Sequence, residues 1–277
     1  MNQAIINVAS VPMRSPFRYP GGKTWLVPRI RTWLRARGGA DKELIEPFAG
    51  GGTVSLTAVF EQLVGRATLV ELDEGVAAVW ATILSDDACW LAQQIMTFEL
   101  TIERARAALT NTTTCRELAF ATIVKNRVNR GGILADGASF VKQGENGKGI
   151  LSRWYPATLK ERILAIHQIR DRLHFVQGDA FACCRQHAAR TDALYFIDPP
   201  YIKAGRRLYR YSEIDHAALF AQAAQLTGDF LMTYDDAAEI RALAHEHNFV
   251  TRTVAMKNTH HAEKRELLIS RNLEWLA

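Results

Sequence analysis

The sequence predicts an α/β fold with a mostly parallel central sheet flanked by helices. Short apolar runs of strand length alternate with longer segments whose apolar residues recur at helical spacing. The first such run, Glu43 to Phe48, leads through the glycine-rich turn 49–53 into a helix that begins at Val54. A strand, a glycine turn and a helix in this order form the first unit of a nucleotide-binding sheet. A later apolar run, Leu194 to Ile197, ends at a double proline, as a buried strand that stops abruptly would.

Length and composition restrict the class of protein. The 277 residues suit one large domain, or one α/β domain with an inserted module. The net charge of +5 is compatible with a nucleic-acid partner but does not require one. None of the four cysteines forms a CxxC pair, which favours a reducing, cytoplasmic location, and no metal-ligand set is evident. We predict neither a signal peptide nor a membrane span.

The segment before the first long helix contains the turn Pro20-Gly21-Gly22-Lys23. Glycines leave the backbone N–H groups unshielded, so this turn and the Lys23 ammonium could bind a carboxylate or a phosphate. A plain turn with an exposed lysine is the alternative.

Acidic residues follow the second and third predicted strands. Glu71 and Asp73 end the run 67–73, and Asp179 ends the run 174–179. An acid about 20 residues past a glycine loop is placed to accept hydrogen bonds from ribose hydroxyls. Asp179 could accept the exocyclic amine of an adenine. Glu71 or Asp73 could instead be a surface charge or the N-cap of the helix that follows. Asp179 could be the N-cap of its own following helix, which is compatible with binding an amine.

The tetrapeptide Asp198-Pro199-Pro200-Tyr201 places a carboxylate, a carbonyl and an aromatic ring together where the predicted strand ends. In open α/β sheets this edge binds ligands. The Asp198 carboxylate and the Pro199 carbonyl can each accept one N–H, and Tyr201 can stack on a planar base. The alternative is a strand terminator without a function.

Basic and amide side chains are concentrated in a polar insertion and in a later loop. They can contact phosphates and base edges of DNA. The alternative is that the insertion is a flexible loop, because it has too few large apolar residues to form its own core. The candidate DNA-binding residues are Lys125, Asn126, Arg127, Asn129, Arg130, Lys142, Arg206 and Arg207.

Taken in order, these motifs resemble the Dam-like (D12 class) DNA adenine-N6 methyltransferases from Phe17 to Arg271. The resemblance implies a Rossmann-like class I S-adenosylmethionine-dependent methyltransferase fold, with a catalytic domain at 17–84 and 158–277 and an inserted target-recognition region at 85–157. It implies that S-adenosylmethionine is bound by Tyr19, Lys23, Glu46, Phe48, Gly50, Gly52, Glu71, Asp73, Asp179 and Asp198. Tyr19 stands where the family commonly has Trp, and Glu71 where it commonly has Asp.

The activity implied by this resemblance is methyl transfer to N6 of a flipped-out adenine in duplex DNA. Asp198, Pro199, Pro200 and Tyr201 would form the catalytic motif. The expected partner is double-stranded DNA, with a cognate restriction endonuclease possible, and the expected state is a monomer. An RNA adenine-N6 methyltransferase, a DNA cytosine-N4 methyltransferase and a catalytically silent DNA-binding regulator remain as alternatives.

Overall fold

The computed structural model describes residues 8, 10–18, 22–201, 210–211, 213–257 and 263–276. These residues form a seven-stranded sheet in the order β3-β2-β1-β4-β5-β7-β6. The strands are β1 (Glu43–Glu46), β2 (Arg66–Glu71), β3 (Leu173–Gln177), β4 (Ala193–Ile197), β5 (Asp229–Asp235), β6 (Val250–Lys257) and β7 (Glu263–Ser270). Strands β1 to β5 are parallel, whereas β7 runs antiparallel to both β5 and β6.

The helices cover both faces of this sheet. Within the described ranges they are α1 (Val27–Ala36), α2 (Thr53–Phe60), α3 (Glu74–Leu84), α4 (Ala88–Thr97), α5 (Ile102–Thr110), α6 (Cys115–Val128), α7 (Pro156–Gln168), α8 (Ala180–His187), α9 (His216–Gln225) and α10 (Ala238–Glu246). A short 3-10 helix, Lys23–Leu26, precedes α1. The predicted α/β fold is confirmed.

Strand β4 shows why a continuous apolar run predicts a central strand. All five of its residues are buried, because successive side chains point to opposite faces and helices cover both. Leu194 and Phe196 pack in one apolar cluster, with Trp33 and Trp80, whereas Tyr195 and Ile197 pack in the cluster on the other face.

The order of the strands determines where a ligand can bind. It reverses between β1 and β4, which is a topological switch point. In open α/β sheets the crevice at this point, at the carboxyl ends of the strands, is the usual ligand site. Three acids of the predicted site lie there: Glu46 and Glu71 end β1 and β2, and Asp198 directly follows β4.

The insertion is better anchored than its composition suggested. Phe140 packs with Phe98, Phe120 and Trp154 around a small apolar cluster that includes Ile150. Residues 139–141 also return to the end of α6, where the Arg130 and Val141 N–H groups donate to the carbonyls of Ser139 and Val128. The expectation of too few apolar residues for a core holds only for the loop itself, because α5, α6 and the segment around Trp154 supply most of the cluster.

No helix in the described part of the chain has the length and apolar character needed to cross a membrane.

Candidate active site

One cavity of about 480 Å³ opens at the carboxyl ends of β1, β2 and β4. Its volume lies within the range of about 300–1,000 Å³ that ligand pockets occupy. The structure brings most of the predicted site residues to its wall: Lys23, Glu46, Phe48, Gly50, Gly52, Glu71, Asp73, Asp179, Asp198 and Pro200. Pro199 and Tyr201 adjoin this wall in the chain, and Tyr19 falls outside the described residues.

The glycine loop packs tightly against Trp80 and Leu69. Gly50 and Gly52 have φ values of 46° and 60°, in the left-handed region that glycine adopts at low cost. The Trp80 indole N–H donates to the Gly50 carbonyl at 2.9 Å. A Cβ on Gly52 would lie 2.7 Å from Leu69 and 2.8 Å from Trp80. The loop therefore needs glycine here for its conformation and for its close packing.

Glu71 fastens the glycine loop to the end of β2. Its carboxylate accepts the N–H groups of Gly50 at 2.9 Å, Leu72 at 2.9 Å and Asp73 at 3.0 Å. Burial raises its pKa to about 7, against the pull of these three donors. A carboxylate has about four acceptor positions, so Glu71 can still accept one hydrogen bond from a ligand.

Asp73 and Asp179 both cap helices, as the alternative for each allowed. Asp73 accepts the Val76 N–H at the start of α3 at 3.0 Å, and Asp179 accepts the Ala182 N–H at the start of α8 at 2.8 Å. Each cap uses one carboxylate oxygen, so the other remains able to accept a hydrogen bond in the cavity.

Asp198 is bound by three donors. The Thr233 hydroxyl donates to Oδ1 at 2.6 Å, the Tyr201 hydroxyl lies 3.1 Å from the same oxygen, and Lys23 Nζ lies 2.8 Å from Oδ2. The Lys23 side chain is only 4% exposed. Burial disfavours its charge, but the carboxylates of Asp198 and Glu266 outweigh that effect and raise its pKa. Lys23 is therefore a buried ammonium paired with an acid, and not the exposed lysine of a plain turn.

A second acid, Glu266 on β7, adjoins this cluster. Its Oε2 lies 3.1 Å from the Tyr201 hydroxyl and 3.9 Å from Lys23 Nζ. The Tyr201 ring stacks on Tyr234 with centroids 5.7 Å apart, and Lys23 Nζ lies 5.2 Å from the Tyr201 ring centroid. Burial raises the pKa of Tyr201 well above its usual value and also raises that of Glu266.

Glu46 is buried at the end of β1. Ser55, in the first turn of α2, donates its backbone N–H and its hydroxyl to Oε2 at 2.9 and 2.5 Å. Burial nevertheless raises the pKa of Glu46 to about 8, helped by the nearby Asp198 charge.

Three of the predicted DNA-binding side chains have structural roles instead. The Asn126 amide accepts the Arg18 N–H at 2.9 Å and donates to the Arg18 and Gly132 carbonyls at 3.0 and 2.8 Å. Arg127 donates to the Pro16 carbonyl, and Asn129 donates to the Ile133 carbonyl at 2.8 Å. All three are buried, so we do not include them among the residues proposed to contact DNA. The last turn of α6 and the residue that follows it turn these polar groups inward to hold irregular backbone, and residue type alone could not indicate that.

The other predicted DNA-binding residues lie nearer the surface or outside the described chain. Arg130 and Lys142 are exposed and Lys125 is half-buried. Arg206 and Arg207 lie outside the described residues. Arg127 has three arginine neighbours, Arg18, Arg153 and Arg162, and burial together with their charges lowers its pKa to about 9. These three are half-buried, and sequence reasoning overlooked them because they are far apart in the chain.

The fold and the cavity together define a class. A sheet of this order, a glycine loop after β1 and acids at the strand ends are the features of a Rossmann-like class I S-adenosylmethionine-dependent methyltransferase. The family model of the D12 class N6 adenine-specific DNA methyltransferases matches residues 19–258, and the chain belongs to that family. Its methyl donor is S-adenosylmethionine. The cavity fits this group, since it combines bare glycine backbone, acids that can accept from hydroxyl and amino groups, and a lysine.

Similar solved structures share little sequence with this chain. A Pyrococcus horikoshii protein described as a candidate RNA methyltransferase has 10% identity and a TM-score of 0.42, with 98% of this chain and 93% of that chain covered. Precorrin-6y C5,15-methyltransferase from Geobacter metallireducens has 10% identity and a TM-score of 0.39, with coverage of 87% and 86%. Among curated proteins no similar sequence was found.

Proposed function

We propose that this protein methylates N6 of adenine in duplex DNA. One observation carries the proposal: the carboxylate of Asp198, an acceptor for an amino group, lines the same cavity as the glycine loop and the acids Glu71 and Asp179. A methyl donor and an amine acceptor can therefore meet in one space. Membership in the D12 class supports adenine as the target.

Residues on three sides of the cavity would hold the cofactor. Glu71 and Asp73 would accept the ribose hydroxyls, and Asp179 would accept the adenine amino group. Lys23 and the turn before it would bind the carboxylate end. When bound, S-adenosylmethionine supplies a methyl group activated by a positively charged sulfur.

Asp198 and the Pro199 carbonyl would act on the substrate amine. The adenine N6 lone pair is delocalised into the ring, which makes it a poor nucleophile. If these two oxygens accept hydrogen bonds from both N6–H groups, the nitrogen turns toward tetrahedral geometry and its lone pair becomes available. Asp198 is suited to this because the 2.6 Å bond from Thr233 fixes its carboxylate.

The target base has to leave the helix to reach this cavity, at a cost of a few kcal/mol. We propose that Tyr201 stacks on the flipped base, which recovers roughly 1–3 kcal/mol. Its ring lies against Tyr234 in the structure, so it has to turn toward the cavity to do so. Lys125, Arg130 and Lys142, together with the half-buried Arg18, Arg153 and Arg162, would contact the phosphates.

Product analysis tests this function. The protein is incubated with isotope-labelled S-adenosylmethionine and, side by side, mixed-sequence duplex DNA and duplex RNA, and digested products are identified by mass spectrometry. We expect N6-methyladenine in the DNA. N4-methylcytosine, or methylation of RNA alone, would refute the proposal in favour of another methyltransferase. Cofactor or DNA binding without any methylated product would indicate a regulator.

A further inference from the structure

Two carboxylates share the same two donors beside the cavity. Tyr201 hydroxyl lies 3.1 Å from Asp198 Oδ1 and 3.1 Å from Glu266 Oε2. Lys23 Nζ lies 2.8 Å from Asp198 Oδ2 and 3.9 Å from Glu266 Oε2. Both donors can therefore change acceptor with small movements.

Asp198, as the structure shows it, has one acceptor position left for an amine, and its charge is largely offset. Oδ1 is bonded by Thr233 and Tyr201, and Oδ2 carries the Lys23 ammonium. An ammonium at this distance neutralises the negative charge that would favour positive charge on a reacting amine. Asp198 needs a second acid that can take the ammonium from it.

Glu266 is placed for that task and not for contact with the substrate. Lys23 and Asp198 are among the described residues that line the cavity, whereas Glu266 is not. Its side chain is only 12% exposed and contacts Lys23 and the Tyr201 hydroxyl. The β5–β7 register, with Glu266 opposite Asp235, fixes it there.

We propose that Glu266 is a positioning residue that takes over the Lys23 ammonium when the substrate amine binds Asp198, while the Tyr201 hydroxyl leaves Asp198 as its ring turns toward the base. The inference rests on the proposed function. Shortening the 3.9 Å separation to a hydrogen bond needs a shift of about 1 Å. Thr233 keeps its bond to Oδ1, so the carboxylate holds its orientation while its other positions open. No covalent bond changes in this exchange.

The charges of the cluster give the exchange a clear signature. When ionised, Asp198, Glu266 and Lys23 together carry one net negative charge. The nearby acids Glu46 and Asp235 are the same in every variant below. Glu266→Gln keeps the shape and an acceptor for the Tyr201 hydroxyl but loses that charge, so Lys23 stays on Asp198. In that background Lys23 stays on Asp198 whether or not the amine binds, so with S-adenosylmethionine at saturating concentration the further loss of rate from Lys23→Met should be smaller than in the native protein.

A double-mutant cycle tests the proposal with Glu266→Gln, Lys23→Met and their combination. The matched control is Glu99→Gln, an exposed acid paired with Arg104 at 2.9 Å. We expect Glu266→Gln to lower the single-turnover methylation rate by roughly tenfold or more, with the S-adenosylmethionine Kd within about threefold and the control unchanged. Lys23→Met should lose far less in the Glu266→Gln background than in the native protein.

Two results would overturn this role of Glu266: a Glu266→Gln rate within about twofold of native, or losses from the two substitutions that simply multiply.

A second readout does not need turnover. The ¹⁵N resonance of the Lys23 ammonium, assigned with Lys23→Met, should shift when adenosine joins S-adenosylhomocysteine in the native protein but not in Glu266→Gln. If the native protein methylates nothing, the proposed function fails, and this resonance alone decides the exchange. An equal shift in both proteins, or none in either, would refute it.

Discussion

Glu46 shows how one residue can tie stability to pH. Its pKa of about 8 in the folded protein exceeds the ordinary value of 4.5. Between these values the folded state binds the proton and the unfolded state does not, so this group's contribution to stability is lost as pH rises from about 4.5 to 8.

Glu46→Gln should remove that dependence. We expect the free energy of unfolding of the variant to fall less between pH 5 and pH 8 than that of the native protein, by an amount on the order of 3 kcal/mol. Urea denaturation across this pH range is the measurement. Parallel curves for the two proteins would show that Glu46 ionises normally in the folded state.

Charge on the protein surface gives a second residue-scale prediction. The slope of log K against log salt is negative for DNA binding. Arg130→Ala and Lys142→Ala should each reduce its magnitude for duplex DNA by about 0.9, if each side chain neutralises one phosphate. Lys42→Ala is the control, because Lys42 directly precedes β1 and so lies at the amino end of that strand, away from the cavity at the carboxyl ends. Filter-binding titrations at several salt concentrations measure the slopes. Equal slopes for all three variants would place the DNA elsewhere.

At the scale of elements, the β1–α2 turn depends on glycine for two separable reasons. Gly52→Ala would meet a left-handed backbone and two close side-chain contacts, whereas Gly38→Ala, at φ 61°, would meet the same backbone problem with nothing within 4 Å. The first reason alone costs about 1–2 kcal/mol.

Gly52→Ala should therefore destabilise the protein by more than Gly38→Ala does, with a total of about 3 kcal/mol or more. Chemical denaturation of both variants gives the comparison. The same substitution should weaken S-adenosylmethionine binding, which calorimetry would detect. Equal losses of stability would mean that Leu69 and Trp80 move aside without cost.

Local sequence patterns predicted the helices and strands well where neighbouring residues alone determine the conformation. The buried run 194–197 and the glycine turn before α2 predict their structures because strand burial, proline and glycine act locally. The amide and guanidinium groups of Asn126 and Arg127 look like surface groups in the sequence, yet tertiary packing turns them inward. Their partners, the carbonyls near Pro16 and Arg18, are distant in the chain.

At the scale of the whole molecule, the sheet order gathers groups that the sequence keeps apart. Glu71, Asp179 and Asp198 come to one cavity because parallel strands end at one edge, and the 3-10 helix before α1 brings Lys23 beside them. Motif spacing predicted this part of the site. It could not predict Thr233, which donates to Asp198, or Glu266, which contacts Lys23 and Tyr201, because both come there only through the pairing of β4 with β5 and of β5 with β7.

The central claim is that Asp198 directs the substrate amine. We expect Asp198→Ala and Asp198→Asn to lower the single-turnover methylation rate of duplex DNA by about 10³-fold or more, while thermal melts show folded protein. Asp198→Asn separates charge from shape, since its amide can still accept one N–H bond. Near-native rates in either variant would contradict the account.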